Sequence, residues 1–361
     1  MRFESAAADM IASRAQLLAA HAIDLGHDAW SADGPHGGER TQQLDEATMH
    51  LRSLSDAMLG ESEQLFVDYV DWARTRMAAR QRPASQLTGQ LDALRMVIAH
   101  DLPQAAPAAT TFLSAAVDRL AAPPPENATE VRAGSLAARY LERLIAFDRN
   151  GAVALVQRAI EGGTPLAEIY LEVIQRAQHE IGRLWQLNKL TVAHEHYCTA
   201  VSQLVLAQLY PLMMRGPGGE PMVATCVAEE LHELGARMVA DFFEMDGWDT
   251  TYVGANAPAE DLLQILRKRR AGLLAISATM GWHVHTALAL IERVRDAPDL
   301  RHVKILVGGR PFSVAGSLWQ QLGADGCASD AREAIAVGRR LLGMAHGDTE
   351  RALTSSEPYS A

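Results

Sequence analysis

From about residue 220 to residue 347 the chain alternates short apolar runs with amphipathic ones, and few folds accept that pattern. Met222–Val227, Thr250–Gly254, Gly272–Ala278, Val303–Gly308 and Gly326–Ala328 read as strands. Amphipathic segments start near Glu233, Pro258, Trp282 and Pro311, and another follows at Asp330. Strands that alternate with helices predict a parallel, doubly wound sheet of the Rossmann-like class. Ligands of such sheets lie outside the carboxyl ends of the strands. His232, Ser277 and the pair Gly308-Gly309 all fall at predicted carboxyl ends.

The run Glu230-Leu231-His232-Glu233-Leu234-Gly235 is the most specific of these ends. It joins the first strand to an amphipathic stretch, Ala236 to Met245, that reads as a helix. A histidine there can ligate a metal, and an acidic residue two positions earlier can hold the imidazole. Gly235, three residues after the histidine, lets a flat ligand approach the backbone. Taken singly, each feature has a plainer reading. His232 is then a surface residue, Ser277 ends a strand, and Gly308-Gly309 makes a turn.

Taken together, the three resemble the cobalamin-binding domain of corrinoid enzymes and sensors. Its signature is Asp-x-His-x-x-Gly, then Ser-x-Leu or Ser-x-Thr, then Gly-Gly. This chain has Glu230-x-His232-x-x-Gly235, Ser277-Ala278-Thr279 and Gly308-Gly309, in that order. Glu230 departs from the aspartate by one methylene. The resemblance implies that His232 is the lower cobalt ligand in place of the dimethylbenzimidazole base. It further implies that the displaced nucleotide tail lies beside Ser277, Thr279, Gly308 and Gly309.

Residues 131–215 read as four helices. The third opens at Thr164-Pro165, with the threonine as N-cap and the proline as first helical residue. Ile169, Tyr170, Val173, Ile174, Ala177, Ile181 and Leu184 follow at helical spacing, and the helix is expected to end near Trp185. The fourth starts near Thr191. Trp185, nine residues, then Glu195-His196 resembles the cap bundle of the cobalamin-dependent light-sensing transcriptional repressors. That resemblance implies a tryptophan packed on an adenosyl group, with Glu195 and His196 bordering it. Those repressors carry a histidine directly after the tryptophan, and here Gln186 stands there.

Residues 1–122 also read as helical, with segments near 5–25, 40–59, 61–80, 86–101 and 107–120. Nothing there resembles a helix-turn-helix module. Helical region, cap bundle and cobalamin domain in this order resemble the photocobilins, which bind a bilin as well as cobalamin. The domain boundaries expected are 1–122, 131–215 and 220–347. Ala121 to Asn127, rich in proline, and Gly216 to Gly219 are the connectors. The tail after Gly347 is expected to fray.

Composition narrows the setting. A net charge of −11 over 361 residues argues against nucleic acid as a partner of these domains. No apolar run approaches the length of a membrane span. The three cysteines, Cys198, Cys226 and Cys327, show no pairing pattern and read as buried thiols in a reducing, cytoplasmic compartment. Asn127-Ala128-Thr129 matches a glycosylation acceptor, which has no meaning there. Arg267 to Arg270 ends a predicted helix and reads as a structural complement to its dipole.

The resemblance as a whole implies a non-enzymatic photoreceptor built on adenosylcobalamin. Light would break its cobalt–carbon bond, and biliverdin held without a covalent link would be a second chromophore. His283 and His285 are candidate bilin contacts, or exposed residues of a first helical turn. A downstream signalling protein and a homo-oligomer are the expected partners. The alternative from another class is a corrinoid methyl carrier serving a methyltransferase.

Overall fold

The computed structural model describes residues 3–26, 30, 40–125, 131–213 and 218–344. They form two compact units. One contains residues 3–125 with Ala278–Ala289 and Arg310–Leu322. The other contains residues 131–277, Leu290–Gly309 and 323–344. The connector residues 126–130 and 214–217, the glycosylation motif within the first of them, and the tail from 345 lie outside the described residues.

The second unit is built on a sheet of five parallel strands: β1 (Pro221–Cys226), β2 (Asp249–Gly254), β3 (Leu273–Ser277), β4 (Lys304–Gly308) and β5 (Gly326–Ala328). Their order is β2-β1-β3-β4-β5. The chain runs from β1 outward to β2 and then returns past β1 to β3, so the winding reverses between β1 and β3. Alternate residues of the inner strands are buried on both sides. Met222, Leu273 and Leu306 face one way, and Val223, Leu274 and Ile305 the other. A sheet covered on both faces needs continuous apolar strands, and the sequence supplies them.

Helices Leu234–Met245 and Ala331–Leu341 cover one face. Gly338 lets the second approach closely, because a Cβ there would lie 2.9 Å from Phe243 and 3.0 Å from Leu273. Asp246, which follows the first helix, takes two bonds from Arg339 at 2.7 and 2.9 Å and one from Trp248 Nε1 at 2.9 Å. Arg267 pairs with Asp299 and Arg269 with Asp249, so these two residues of the basic run have acidic partners.

Four helices precede the sheet: Leu136–Ile145, Arg149–Glu161, the continuous stretch 166–186, and Val192–Leu209. Their core joins Tyr140, Tyr170, Ile174 and Val205 to Met238, Phe242 and Met245 of the first sheet helix. That helix is therefore apolar on two sides. Ala240 and Phe243 meet the sheet, and Met238 and Phe242 meet the bundle. The third bundle helix departs from expectation twice. Pro165 is its N-cap, with ψ of 141°, so the helix begins one residue later than predicted. Ile169–Gln175 is a π-helical stretch. Periodicity does not separate the two helix types, because Ile169, Tyr170, Val173 and Ile174 are buried in either case.

The first unit is helical: Phe3–Ala12, Ala15–Leu25, Arg40–Leu59, Glu63–Ala78, Ala84–Asp101 and Ala106–Ala121. Helix Arg40–Leu59 is buried along one side, through Ala47, Leu51, Leu54 and Met58. Four polar residues are buried with them: His50, Ser53, Ser55 and Asp56. No helix of the described residues is long and apolar enough to cross a membrane.

Candidate functional site

In the sheet unit the carboxyl ends of the strands form one row. Cys226 is paired in register with Ser277, Ser277 with Gly308, and Gly308 with Ala328. The loop carrying His232 springs from this row at the reversal between β1 and β3, where ligands of doubly wound sheets bind. Val227 N bonds Ser277 O at 3.1 Å and so ties the loop's root to β3.

Glu230 is fully buried, and its carboxylate takes both the backbone N–H of His232 at 2.9 Å and His232 Nδ1 at 2.5 Å. That bond holds the His232 pKa above its usual value, against the opposing effect of burial. A carboxylate on Nδ1 fixes the proton there and leaves the Nε2 lone pair outward. Among the described residues nothing bonds Nε2, and the side chain is 58% exposed. The extra methylene of Glu230 does not prevent the contact.

The space around this imidazole suits a large, flat group. Leu231 is 79% exposed, and a Cβ added at Gly235 would meet nothing within 4 Å. Gly235 lies in the first turn of helix Leu234–Met245, which begins two residues before the predicted start at Ala236. At the far end of the row, a Cβ on Gly308 would lie 3.0 Å from Ala328 O, and Gly309 has φ of +107°. A side chain at either position would therefore be crowded or strained. Ser277 is half-buried at the end of β3. Thr279 belongs to the other unit.

Several supports of the His232 loop carry no motif. Glu229 and Asn256 both adopt left-handed backbone, with φ of +65° and +59°, and the Asn256 side chain accepts the Glu229 N–H at 3.1 Å. Asparagine tolerates this conformation, which is the one hint the sequence offered. Glu233 is held by Gln203 Nε2 at 3.0 Å on Oε1, and its carbonyl accepts the Tyr252 hydroxyl at 3.1 Å. Gln203 lies on the fourth bundle helix, so that helix and the His232 loop are bonded directly.

Trp185 is half-buried and packs against the bundle core near the end of the third helix. That helix continues to Gln186, and the turn after it uses Asn188 at φ +55°. Thr191 caps the fourth helix by accepting the His194 N–H at 3.3 Å. Glu195 takes the Thr199 hydroxyl at 2.9 Å and His196 Nδ1 at 2.6 Å. Its charge contributes to raising the His232 pKa, which places it within electrostatic reach of that imidazole. His196 is mostly exposed. Phe147, which sequence reasoning passed over, is exposed at φ +58° with His194 and Tyr197 packed on its ring at 4.9 and 4.8 Å.

Cys198 and Cys226 are buried and Cys327 half-buried, all three unpaired. Burial pushes their thiols up to about 11, 12 and 11. In the other unit His283 is buried, and His285 pairs with Asp56. The reading of both as exposed residues of a first turn is corrected, because His283 is buried and carboxylates of Asp9 and Asp56, from the N-terminal helices, face His285.

Residues 221–337 match a family model described as B12 binding domain, and residues 136–210 match a second model of the same description. The chain thus carries the B12-binding pattern in both its sheet and its bundle. It is similar to the dimethylamine corrinoid protein of Methanosarcina barkeri, with 24% identity over 204 residues, 56% of this chain and 94% of that protein. Dimethylamine corrinoid protein 1 of Methanosarcina acetivorans is 24% identical over 202 residues, 55% of this chain and 93% of that one. Among solved structures, the Methanosarcina barkeri monomethylamine corrinoid protein superposes with a TM-score of 0.52 at 19% identity. That match covers 57% of this chain and 98% of that chain, and it supports the fold. These relatives overturn the expectation of a light receptor, and with it the ground for an adenosyl upper ligand and a bilin. They favour the alternative, since they are corrinoid proteins named for methylamines.

Proposed function

We propose that the chain is a corrinoid methyl carrier: it binds cobalamin and presents it to a methyltransferase. The observation that carries this reading is the buried Glu230 carboxylate on His232 Nδ1 at the carboxyl end of β1, in a chain similar to dimethylamine corrinoid proteins. When bound, the corrinoid supplies a cobalt centre able to accept and release a methyl group. The work of the chain's own residues is to hold and orient. His232 would offer Nε2 to the cobalt, and Glu230 would keep the proton on Nδ1. Ser277, Gly308 and Gly309 border the place of the nucleotide tail, where small residues leave room. Trp185, Glu195 and His196 would belong to a cap over the bound corrinoid. The partner is a methyltransferase rather than a signalling protein, and that enzyme performs the catalysis.

The three-part division at 1–122, 131–215 and 220–347 then separates helical region, cap and corrinoid domain by task. The three unpaired thiols support a reducing, cytoplasmic setting. The test is to load the protein with hydroxocobalamin, reduce it, methylate it with methyl iodide, and follow its absorption spectrum. A stable protein-bound methylcobalamin with histidine as lower ligand is expected. It should lose its methyl group to a thiol only when a corrinoid-dependent methyltransferase is added. Failure to retain the corrinoid through gel filtration sinks the reading.

A further inference from the structure

Two loops leave the row of strand ends. Ala278–Ala289 starts one peptide bond after Ser277, and Arg310–Leu322 starts one peptide bond after Gly309. Both pack within the unit made by the N-terminal helices.

The first loop is held through Asp56, whose side chain is 3% exposed on helix Arg40–Leu59. Its carboxylate accepts the Val284 N–H at 2.9 Å and pairs with His285 Nδ1. Val284 opens helix Val284–Asp296, so Asp56 serves as an N-terminal cap supplied from 228 positions away. Asp9 adds a second carboxylate 3.5 Å from His285 Nε2. Trp282 stands edge-on to Tyr69 and Trp72, with ring centres 6.2 and 6.0 Å apart.

The second loop is held through Asp68 on helix Glu63–Ala78. It takes Arg310 Nε at 2.9 Å and Nη2 at 2.5 Å, a forked pair. Further along, Leu318 is fully buried and sits over Gly60, where a Cβ would lie 2.8 Å from its Cδ1. An ionic and an apolar contact thus fix each loop, on helices that carry none of the proposed corrinoid contacts.

We propose that the N-terminal helices are a brace for the nucleotide-tail groove, with Asp56 and Asp68 as positioning residues. This deepens the carrier reading and rests on it. The loops that continue from Ser277 and Gly309 set the path of the strand ends, and the brace sets the path of the loops. Corrinoid binding and the order of the N-terminal helices are then coupled, and coupling of binding free energies is reciprocal.

The experiment uses the full chain with hydroxocobalamin as probe. Amide hydrogen exchange is followed by mass spectrometry with and without the corrinoid. Binding should slow exchange in residues 40–59, 63–78 and 282–290. Asp68→Ala should weaken hydroxocobalamin binding by about 5- to 20-fold, at the lower end of ordinary allosteric couplings. The spectrum of the bound form should stay that of a histidine-ligated corrinoid, because His232 is untouched. Asp68→Glu should recover most of the affinity. Asp56→Asn tests the first loop in the same way, and Asp68, on a more accessible pair, keeps the test open should Asp56→Asn misfold. Wild-type protein that binds the corrinoid while Asp68→Ala binds it equally well, with no change of exchange in the N-terminal helices, overturns the brace alone. Wild-type protein that binds no corrinoid overturns the carrier reading itself.

Discussion

The Tyr170 hydroxyl donates to Asp241 at 2.9 Å, joining a π-helical turn of the bundle to the helix that follows β1. Asp241 is 3% exposed, and its second partner is Arg237, whose Nε lies 2.9 Å away. Burial pushes the Asp241 carboxyl up, and these two donors oppose the shift. Removing Arg237 strands a buried charge, so Arg237→Ala should cost about 3–5 kcal/mol. Tyr170→Phe leaves Arg237 in place and should cost about 1 kcal/mol. Urea denaturation of the two variants checks the order, and equal losses would contradict it.

His232→Ala should remove the lower ligand. The bound corrinoid, if retained, should then show the spectrum of a water- or base-ligated form, and its affinity should fall sharply. Glu230→Ala only frees the imidazole to turn, so its loss should be about 10- to 100-fold. Equilibrium dialysis with hydroxocobalamin measures both, and an unchanged spectrum in His232→Ala would remove the ligand assignment.

Asn256 offers a way to separate strain from bonding. Asn256→Ala loses the bond to the Glu229 N–H and also raises the cost of a left-handed backbone at φ +59°. Asn256→Gly loses the bond but removes that strain. Thermal unfolding should therefore rank wild type above glycine and glycine above alanine, with a total span of about 1–3 kcal/mol. Corrinoid affinity should follow the same order, because Glu229 adjoins the carboxylate that holds His232.

His50 gives the N-terminal helices a pH dependence. It is buried, with Nδ1 2.6 Å from the Tyr69 hydroxyl and Nε2 3.2 Å from Gln90 Oε1. Burial lowers its pKa below the usual 6.5. The unfolded chain then binds a proton that the folded chain refuses. Stability is thus complete above 6.5 and falls as pH drops below it, by up to about 1.4 kcal/mol per pH unit until the folded pKa is reached. His50→Asn should flatten that part of the profile. Exchange in residues 40–59 at pH 7.5, 6.5 and 5.5 measures the slope, and an unaltered slope in the variant would assign it elsewhere.

Much of the sheet unit was legible because the inner strands β1, β3 and β4 are buried along most of their length and so read as nearly unbroken apolar runs. The five predicted strands agree with β1 to β5 within one residue at each end. The family signal at Glu230, His232 and Gly235 was legible because its residues are close in sequence. Its supports were not. Asn256, Gln203 and Tyr252 reach the loop from elements 27, 30 and 19 positions away, and no spacing rule connects them. The π-helical turn was hidden because its buried residues also fit an ordinary helix. The expectation of a light receptor rests on Trp185 and Glu195-His196, a short pattern outside the sheet domain, and the similarity to methylamine corrinoid proteins overturns it. That domain is common to several kinds of corrinoid protein, and the relatives found are of the methylamine kind.

The placement of Ala278–Ala289 and Arg310–Leu322 bears on how this chain can be cut or recombined. Domains strung in sequence can be fused, swapped or deleted at their linkers. Here the N-terminal helices lie before the proline-rich connector, yet two later segments complete them. A truncation at Pro123-Pro124-Pro125 would strip His283 and Leu318 of their burial, take Tyr69 and Trp72 from the Trp282 ring and leave Val284 without its cap. The first 125 residues and the last 140 are therefore expected to change as one unit of inheritance, even though little more than half of this chain spans over nine-tenths of the corrinoid proteins it resembles.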